Sequence, residues 1–184
     1  MTTDTKDPLT PEGVGLFFIR GNEILLMLRG PGCRNAVGIW ALPGGMVETA
    51  SGEDVGTCVL REAWEELGVT VLHWRALEST PGWESGPGGE GMMVHWILID
   101  GWRGEPSIQE SEKCSAIRWS TTDWIFGGET GSPAQEGEQV KWTPLNLWRR
   151  ILATLHVFPE GKELTDEAFE VFLREASEEE EDEA

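Results

Sequence analysis

The chain predicts a single domain of mixed α and β structure. Short apolar runs bounded by glycine, proline and asparagine turns recur through the first two thirds of the sequence, which is strand patterning. One segment, Gly52 to Leu67, shows helical periodicity instead, and two more apolar stripes at helical spacing stand near the end. A length of 184 residues, with 39% hydrophobic and 26% charged residues, supports one sizeable core of ordinary globular composition.

Residues 1 to 12, with Pro8 and Pro11, read as a flexible leader, and residues 13 to 174 as the folded domain. Val14 to Ile19 and Glu23 to Leu28 flank the Gly21-Asn22 turn and predict a hairpin or adjacent strands. Arg29 to Val37, carrying Gly30, Pro31 and Gly32, reads as an exposed loop. Trp40-Ala41-Leu42 is a short buried strand, cut off by Pro43-Gly44-Gly45. In the helical segment Val55, Cys58, Val59 and Ala63 form the apolar stripe. Ser51 is the expected N-cap, and Gly68 stands where a glycine closes a helix.

Val69 to Leu77, Met92 to Ile99 and Cys114 to Trp119 read as further strands, with Pro81 to Gly91 as a glycine-rich loop between the first two. Pro144 to Leu155 places Leu147, Trp148, Ile151, Leu152 and Leu155 on one helical side. Thr165 caps a final helix through Leu173, with Leu164 and Phe169 spaced for a hydrophobic staple. Residues 175 to 184 hold seven acids and no base. Such a tail has too little apolar surface to fold alone and reads as disordered.

Charge narrows the partners. The formal net charge is −19, and removing the acidic tail still leaves −12. Long nucleic acids are bound chiefly through Lys and Arg contacts to phosphate, so this surface argues against them. A small nucleotide arriving with magnesium is compatible. No apolar run approaches a membrane span, and the polar start lacks the pattern of a secretory signal. Cys33, Cys58 and Cys114 are odd in number and widely spaced, which speaks against a disulfide framework or zinc site and for a cytoplasmic setting. Ten tryptophans without a tyrosine are expected mainly to serve core packing.

The chemistry concentrates in the helix. Glu62, Glu65 and Glu66 fall within an arc of about 100° on one helix face. Three carboxylates that close repel one another unless neutralised. A divalent ion such as Mg²⁺ or Mn²⁺, which prefers carboxylate and water oxygens, would make the arrangement favourable. A solvated acidic face is the alternative on these three residues alone.

Gly45-x7-Glu53-x7-Arg61-Glu62-Ala63-Trp64-Glu65-Glu66-Leu67-Gly68-Val69 resembles the signature of the Nudix hydrolases, and the preceding Pro43-Gly44 looks like the same family. Ala63 is a small occupant of the signature's aliphatic position. Seven residues, rather than the family's usual five, separate Gly45 from Glu53.

The resemblance implies a Nudix fold, a mixed β-sheet sandwiched between α-helices. It implies hydrolysis of a nucleoside diphosphate linked to a group X, with Mg²⁺ or Mn²⁺ as cofactor. By position, Glu62 and Glu66 match the principal metal ligands and Glu65 a third or water-mediated one. Arg61 orients the carboxylates, and Glu53 either pairs with the arginine or joins the metal shell, with Gly45 beside it. Glu65 or Glu66 is the first choice of general base, with Glu110 or Glu112 behind them. A weaker similarity from Val14 to Leu155 is to MutT-type nucleoside triphosphate diphosphatases, with a nucleoside monophosphate and pyrophosphate as products. A homodimer is a further expectation from the family.

Substrate contacts are expected at Arg29, which could clamp a phosphate, at Leu42 and Gly44, and at Trp148, which could stack on a base. Each has a structural reading beside it: a solvated arginine, a tight turn or core packing. His95 reads as a satisfied core histidine, and Trp83 as a lid contact. Two other functions stand against triphosphate hydrolysis. One is cleavage of ADP-ribose, a nucleotide sugar or a dinucleotide at the same kind of bond; the other is a non-catalytic module that binds a nucleotide or a protein.

Overall fold

The computed structural model describes residues 10–21, 23–34, 36–81 and 92–121, and the backbone of 139–140. Two compact units divide the chain, one comprising residues 1–16 and 43–107 and the other residues 17–42 and 108–184.

In the first unit, β4 (Thr70–Pro81) and β5 (Met93–Arg103) form an antiparallel ladder from Thr70 opposite Arg103 to Pro81 opposite Met93. The strand β1 (Glu12–Arg20) follows β5 in the strand order and contributes its opening residues to this unit. The helix α1 (Val55–Leu67) packs against β4. Its buried side chains Cys58, Val59, Glu62, Ala63 and Leu67 follow the helical repeat. The same unit also buries Val14, Leu16, Val69, Ile97 and Ile99. Fully burying each large aliphatic side chain contributes roughly 1.5–3 kcal/mol, so this stripe holds the helix in place.

The second unit is organised on β2 (Glu23–Arg29). One edge of β2 pairs antiparallel with the end of β1, at Ile19↔Ile24 and Arg20↔Glu23, and then with β3 (Ile39–Ala41). The other edge takes β6 (Cys114–Thr121) along its whole length, with an irregularity between Leu28 and Arg29. A short β7 (Gln139–Val140) runs parallel to β3, which makes the sheet mixed. Phe17, Phe18, Ile24, Leu25, Leu26 and Trp40 are among the buried side chains here.

Among the described residues up to β6, the strand and helix order agrees with the sequence reading, β7 is added, and several boundaries move. The N-cap of α1 is Asp54, not Ser51: the Asp54 carboxylate accepts from the Thr57 N–H at 2.7 Å. Ser51 instead lies in a 3₁₀ turn, Thr49–Ser51, and its hydroxyl donates to the Glu48 carbonyl. Gly68 closes α1 in the left-handed conformation, φ 68°, as its position led one to expect. Glu12 belongs to β1 and is buried, and β4 continues to Pro81.

The tryptophans do not all pack inside. Trp40 and Trp96 are buried, but Trp64 is 61% exposed and Trp74 is 40% exposed. Trp64 sits on the side of α1 away from the buried stripe, so its helical position overrides its hydrophobicity. Residues 82–91, Trp83 among them, the helices expected at Pro144 to Leu155 and Thr165 to Leu173, and the acidic tail lie outside the described residues. Among the described residues, no helix is long and apolar enough to cross a membrane.

Candidate active site

Arg61 is the hub of the first unit. A guanidinium has five N–H donors, and here each meets an acceptor. Nε and Nη2 grip the two oxygens of Glu53 at 2.8 and 2.9 Å, a bidentate fork. Nη1 reaches Glu62 at 2.7 Å and Glu65 at 3.0 Å. Nη2 also donates to the Met46 carbonyl at 2.9 Å. One cation thus answers three carboxylates that would otherwise repel, and its proton is held more tightly than usual, the Glu53 hydrogen bonds being the largest cause.

The lengthened segment between Gly45 and Glu53 contains the 3₁₀ turn. Gly52 N–H donates to the Thr49 carbonyl at 3.0 Å, and Glu48 N–H donates to Glu53 Oε2 at 2.8 Å. The added length therefore leaves the turn as a closed hydrogen-bonded loop and returns Glu53 to the arginine. The Arg61 hydrogen bonds, then that of the Glu48 N–H, lower the Glu53 carboxyl from 4.5 to about 2.

A depressed carboxyl contributes stability that is complete above its unfolded value and is lost as pH falls toward the folded one. Glu53 therefore contributes to acid unfolding between about pH 4.5 and 2. Glu53→Gln should flatten the fall of stability with pH in that window, read by denaturant unfolding at several pH values. An unchanged slope would refute the assignment.

Two glycines bring the backbone to the remaining acids. Gly44 N–H donates to Glu66 Oε2 at 2.8 Å. A Cβ at Gly45 would collide with the Glu62 carboxylate, so only glycine lets Glu62 lie against this turn. Val14 N–H donates to the Gly45 carbonyl at 2.8 Å, which pins the turn to β1. Gly45→Ala is expected to displace Glu62 and lower turnover by roughly 100-fold or more, because displacements near 1 Å at reacting groups have that effect. Steady-state rates alongside far-UV circular dichroism would separate this from unfolding.

Cys58 is not a reactive thiol. Burial, then the Glu62 charge, pushes its pKa up to about 12, and its Sγ donates toward the Met46 carbonyl.

The expected site residues are thus partly assembled. Gly44, Gly45, Glu53, Arg61, Glu62, Glu65 and Glu66 stand in one unit and are joined by the contacts above. Arg29 and Leu42 belong to the second unit. There Arg29 pairs with Cys114 in the strand register, and Leu42 directly follows β3. Glu110 and Glu112 are also in that unit, Glu110 bonded to Lys113 at 2.8 Å. Trp148 lies outside the described residues.

Three contributors escaped the sequence reading: the Met46 carbonyl, the Glu48 N–H and the Asp54 cap. The first two are main-chain groups with no residue-type signature. Asp54 was visible as an aspartate just ahead of the helical stripe.

A model of the NUDIX domain matches residues 9–143, most of the chain. The chain belongs to the Nudix family. Solved structures agree. A MutT NUDIX hydrolase from Burkholderia pseudomallei is 30% identical with a TM-score of 0.56, the match covering 62% of this chain and 84% of that one. A MutT protein from Methanosarcina mazei is 22% identical with a TM-score of 0.55, covering 70% and 88%. The NUDIX domain of Shewanella oneidensis NrtR, complexed with ADP ribose, is 20% identical with a TM-score of 0.52, covering 67% and 83%. No curated protein sequence matches. The fold is the Nudix fold, and the protein is a MutT-like Nudix hydrolase, an enzyme acting on phosphorus-containing anhydrides.

Nudix hydrolases generally use a divalent metal. Among the described residues, no three acidic, histidine or cysteine side chains stand grouped as a ready-made metal cluster. The donor chemistry nevertheless fits a hard cation: carboxylate oxygens of Glu62 and Glu66 adjoin the main chain of Gly44 and Gly45, with no sulfur or imidazole ligand required.

Proposed function

We propose that this Nudix enzyme is a Mg²⁺-dependent pyrophosphohydrolase that cleaves a nucleoside triphosphate to the monophosphate and pyrophosphate. The observation that carries the reading is the convergence of Glu62 and Glu66 on the Gly44-Gly45 turn beside the Arg61 hub. Glu62, Glu65 and Glu66, with the Gly45 carbonyl, would hold Mg²⁺ or Mn²⁺. Glu53 acts on the arginine, since both of its oxygens accept hydrogen bonds from Arg61. When bound, the metal would offset charge on the diphosphate oxygens and make water a better nucleophile.

The chain's own part is positional. Arg61 keeps the three glutamates on its side at fixed distances, and the Gly44 N–H orients Glu66. Glu65 or Glu66 accepts the proton of the attacking water as it approaches phosphorus in line with the leaving group. Arg29, Leu42 and Trp148 are assigned to the nucleotide beyond the diphosphate. The domain, read from the sequence as residues 13 to 174 and opened by Glu12 at the start of β1, is flanked by the leader and the acidic tail, and acts in the cytoplasm on a small nucleotide without nucleic acid or membrane. A dimer is the expected assembly.

The test is product release with Mg²⁺, screened over nucleoside triphosphates, ADP-ribose, nucleotide sugars and dinucleotides, with and without chelator. Monophosphate and pyrophosphate from a triphosphate, abolished by chelator, is the expected result. Preferential cleavage of ADP-ribose or another diphosphate would move the substrate to that class. Binding without turnover of any of them would make the protein a nucleotide-binding module.

A further inference from the structure

Away from the Nudix helix, a second hydrogen-bonded array crosses three strands of the first unit. Ser79 on β4 and His95 on β5 are register partners, and Ser79 Oγ lies 2.8 Å from His95 Nδ1. On the far side of the ring, His95 Nε2 lies 3.2 Å from Glu12 Oε1 on β1. Burial grades along the array: the Glu12 side chain is 6% exposed, that of His95 18%, and Ser79 faces solvent. An ionised carboxylate can only accept, so Glu12 sets the proton of the neutral ring on Nε2. The Nδ1 lone pair is then left to accept the Ser79 hydroxyl. A base next to the hydroxyl and a buried acid fixing the base is the logic of a nucleophilic triad, here with the roles of the two ring nitrogens exchanged.

We propose that Ser79 is a nucleophile activated by His95 and Glu12, and that this site hydrolyses small carboxylic esters independently of the Nudix reaction. Ser79 Oγ bonds to the acyl carbon while its proton passes to His95 Nδ1. The ester C–O bond breaks, and the departing alkoxide takes that proton away as an alcohol. Water then bonds to the acyl carbon and gives a proton to His95, which returns it to Oγ as the acyl bond to Ser79 breaks. One ester and one water become one acid and one alcohol, with no other reactant. Glu12 holds the ring in place and stabilises its protonated form in each half. β4 is the outermost strand of its unit in the strand order, so main-chain N–H groups line its outer edge. Such groups are suitable donors to an acyl oxyanion.

A plain cross-strand polar ladder would have the same hydrogen bonds without the reactivity, so reactivity is what must be measured. The full chain is treated with a fluorophosphonate probe, which forms a P–O bond to a reactive serine and releases fluoride. Adducts are then mapped by peptide mass. The expected result is a single adduct on Ser79, absent in Ser79→Ala, with labelling slowed about tenfold or more in His95→Gln as for loss of a general base. Labelling spread equally over other serines, or undiminished in His95→Gln, overturns the proposal. Should His95→Gln fail to fold, p-nitrophenyl acetate turnover by Ser79→Ala decides, since Ser79 is exposed and its truncation leaves no buried gap. Turnover equal to wild type refutes the site, and its loss with pyrophosphate release intact supports it.

Discussion

Glu66→Gln is expected to leave the protein folded and to lower turnover at least about a thousandfold, or ~4 kcal/mol of transition-state stabilisation. The fold should survive because glutamine keeps a carbonyl oxygen that can accept the Gly44 N–H, the contact Glu66 makes at 2.8 Å. Chemistry should fail because an amide is a poorer ligand for a hard cation than a carboxylate and does not accept a proton from water. The measurement is single-turnover kinetics at saturating Mg²⁺, paired with thermal unfolding. Near-normal turnover in a folded variant would sink the metal assignment of Glu66 and its candidacy as base.

Arg61→Ala should damage both stability and activity. The side chain is only 22% exposed and ends in a fan of hydrogen bonds to Glu53, Glu62, Glu65 and the Met46 carbonyl. Removing it leaves clustered carboxylates without their cation, for which a loss of about 3 kcal/mol is expected, as for other partly buried pairs that lose one member. For a protein of this size that lowers Tm by roughly 6–12 °C. Turnover should fall by about 100-fold or more as the glutamates lose their fixed positions. Arg61→Lys separates the two effects. A lysine restores charge but cannot fork across both oxygens of Glu53, so stability should recover more than rate. Equal recovery of both would mean that charge, and not geometry, is the contribution of Arg61.

Legibility differed between parts of the site for a physical reason. Glu62, Glu65 and Glu66 were readable because helical periodicity ties spacing to a shared face, and Gly68 because helix closure favours a residue without a Cβ. The sequence marks Glu53 as a site residue but leaves both the arginine and the metal as its partner. That choice depends on the 3₁₀ turn, whose Glu48 N–H and Gly52 closure come from main-chain geometry and carry no side-chain signature. The Ser51 cap was misread because serine is as good a cap as aspartate. The turn that draws Ser51 back onto Glu48 decides between them. Trp64 is among the tryptophans outside the core, because the Glu and Ala positions around it set the helix orientation.

Three acids on one helix face, a glycine pair ahead of them and an arginine between determined by themselves that this chain builds a Nudix loop-helix-loop. Those constraints are local, acting over one or two turns of backbone, so the order of residues encodes them directly. Only the tertiary structure decided that the lengthened loop closes on itself, that both Glu53 oxygens accept hydrogen bonds from Arg61, and that Ser79, His95 and Glu12 meet across three strands. Such contacts join residues up to 83 positions apart. They depend on strand register and on how main-chain donors find partners, which no single stretch of sequence specifies.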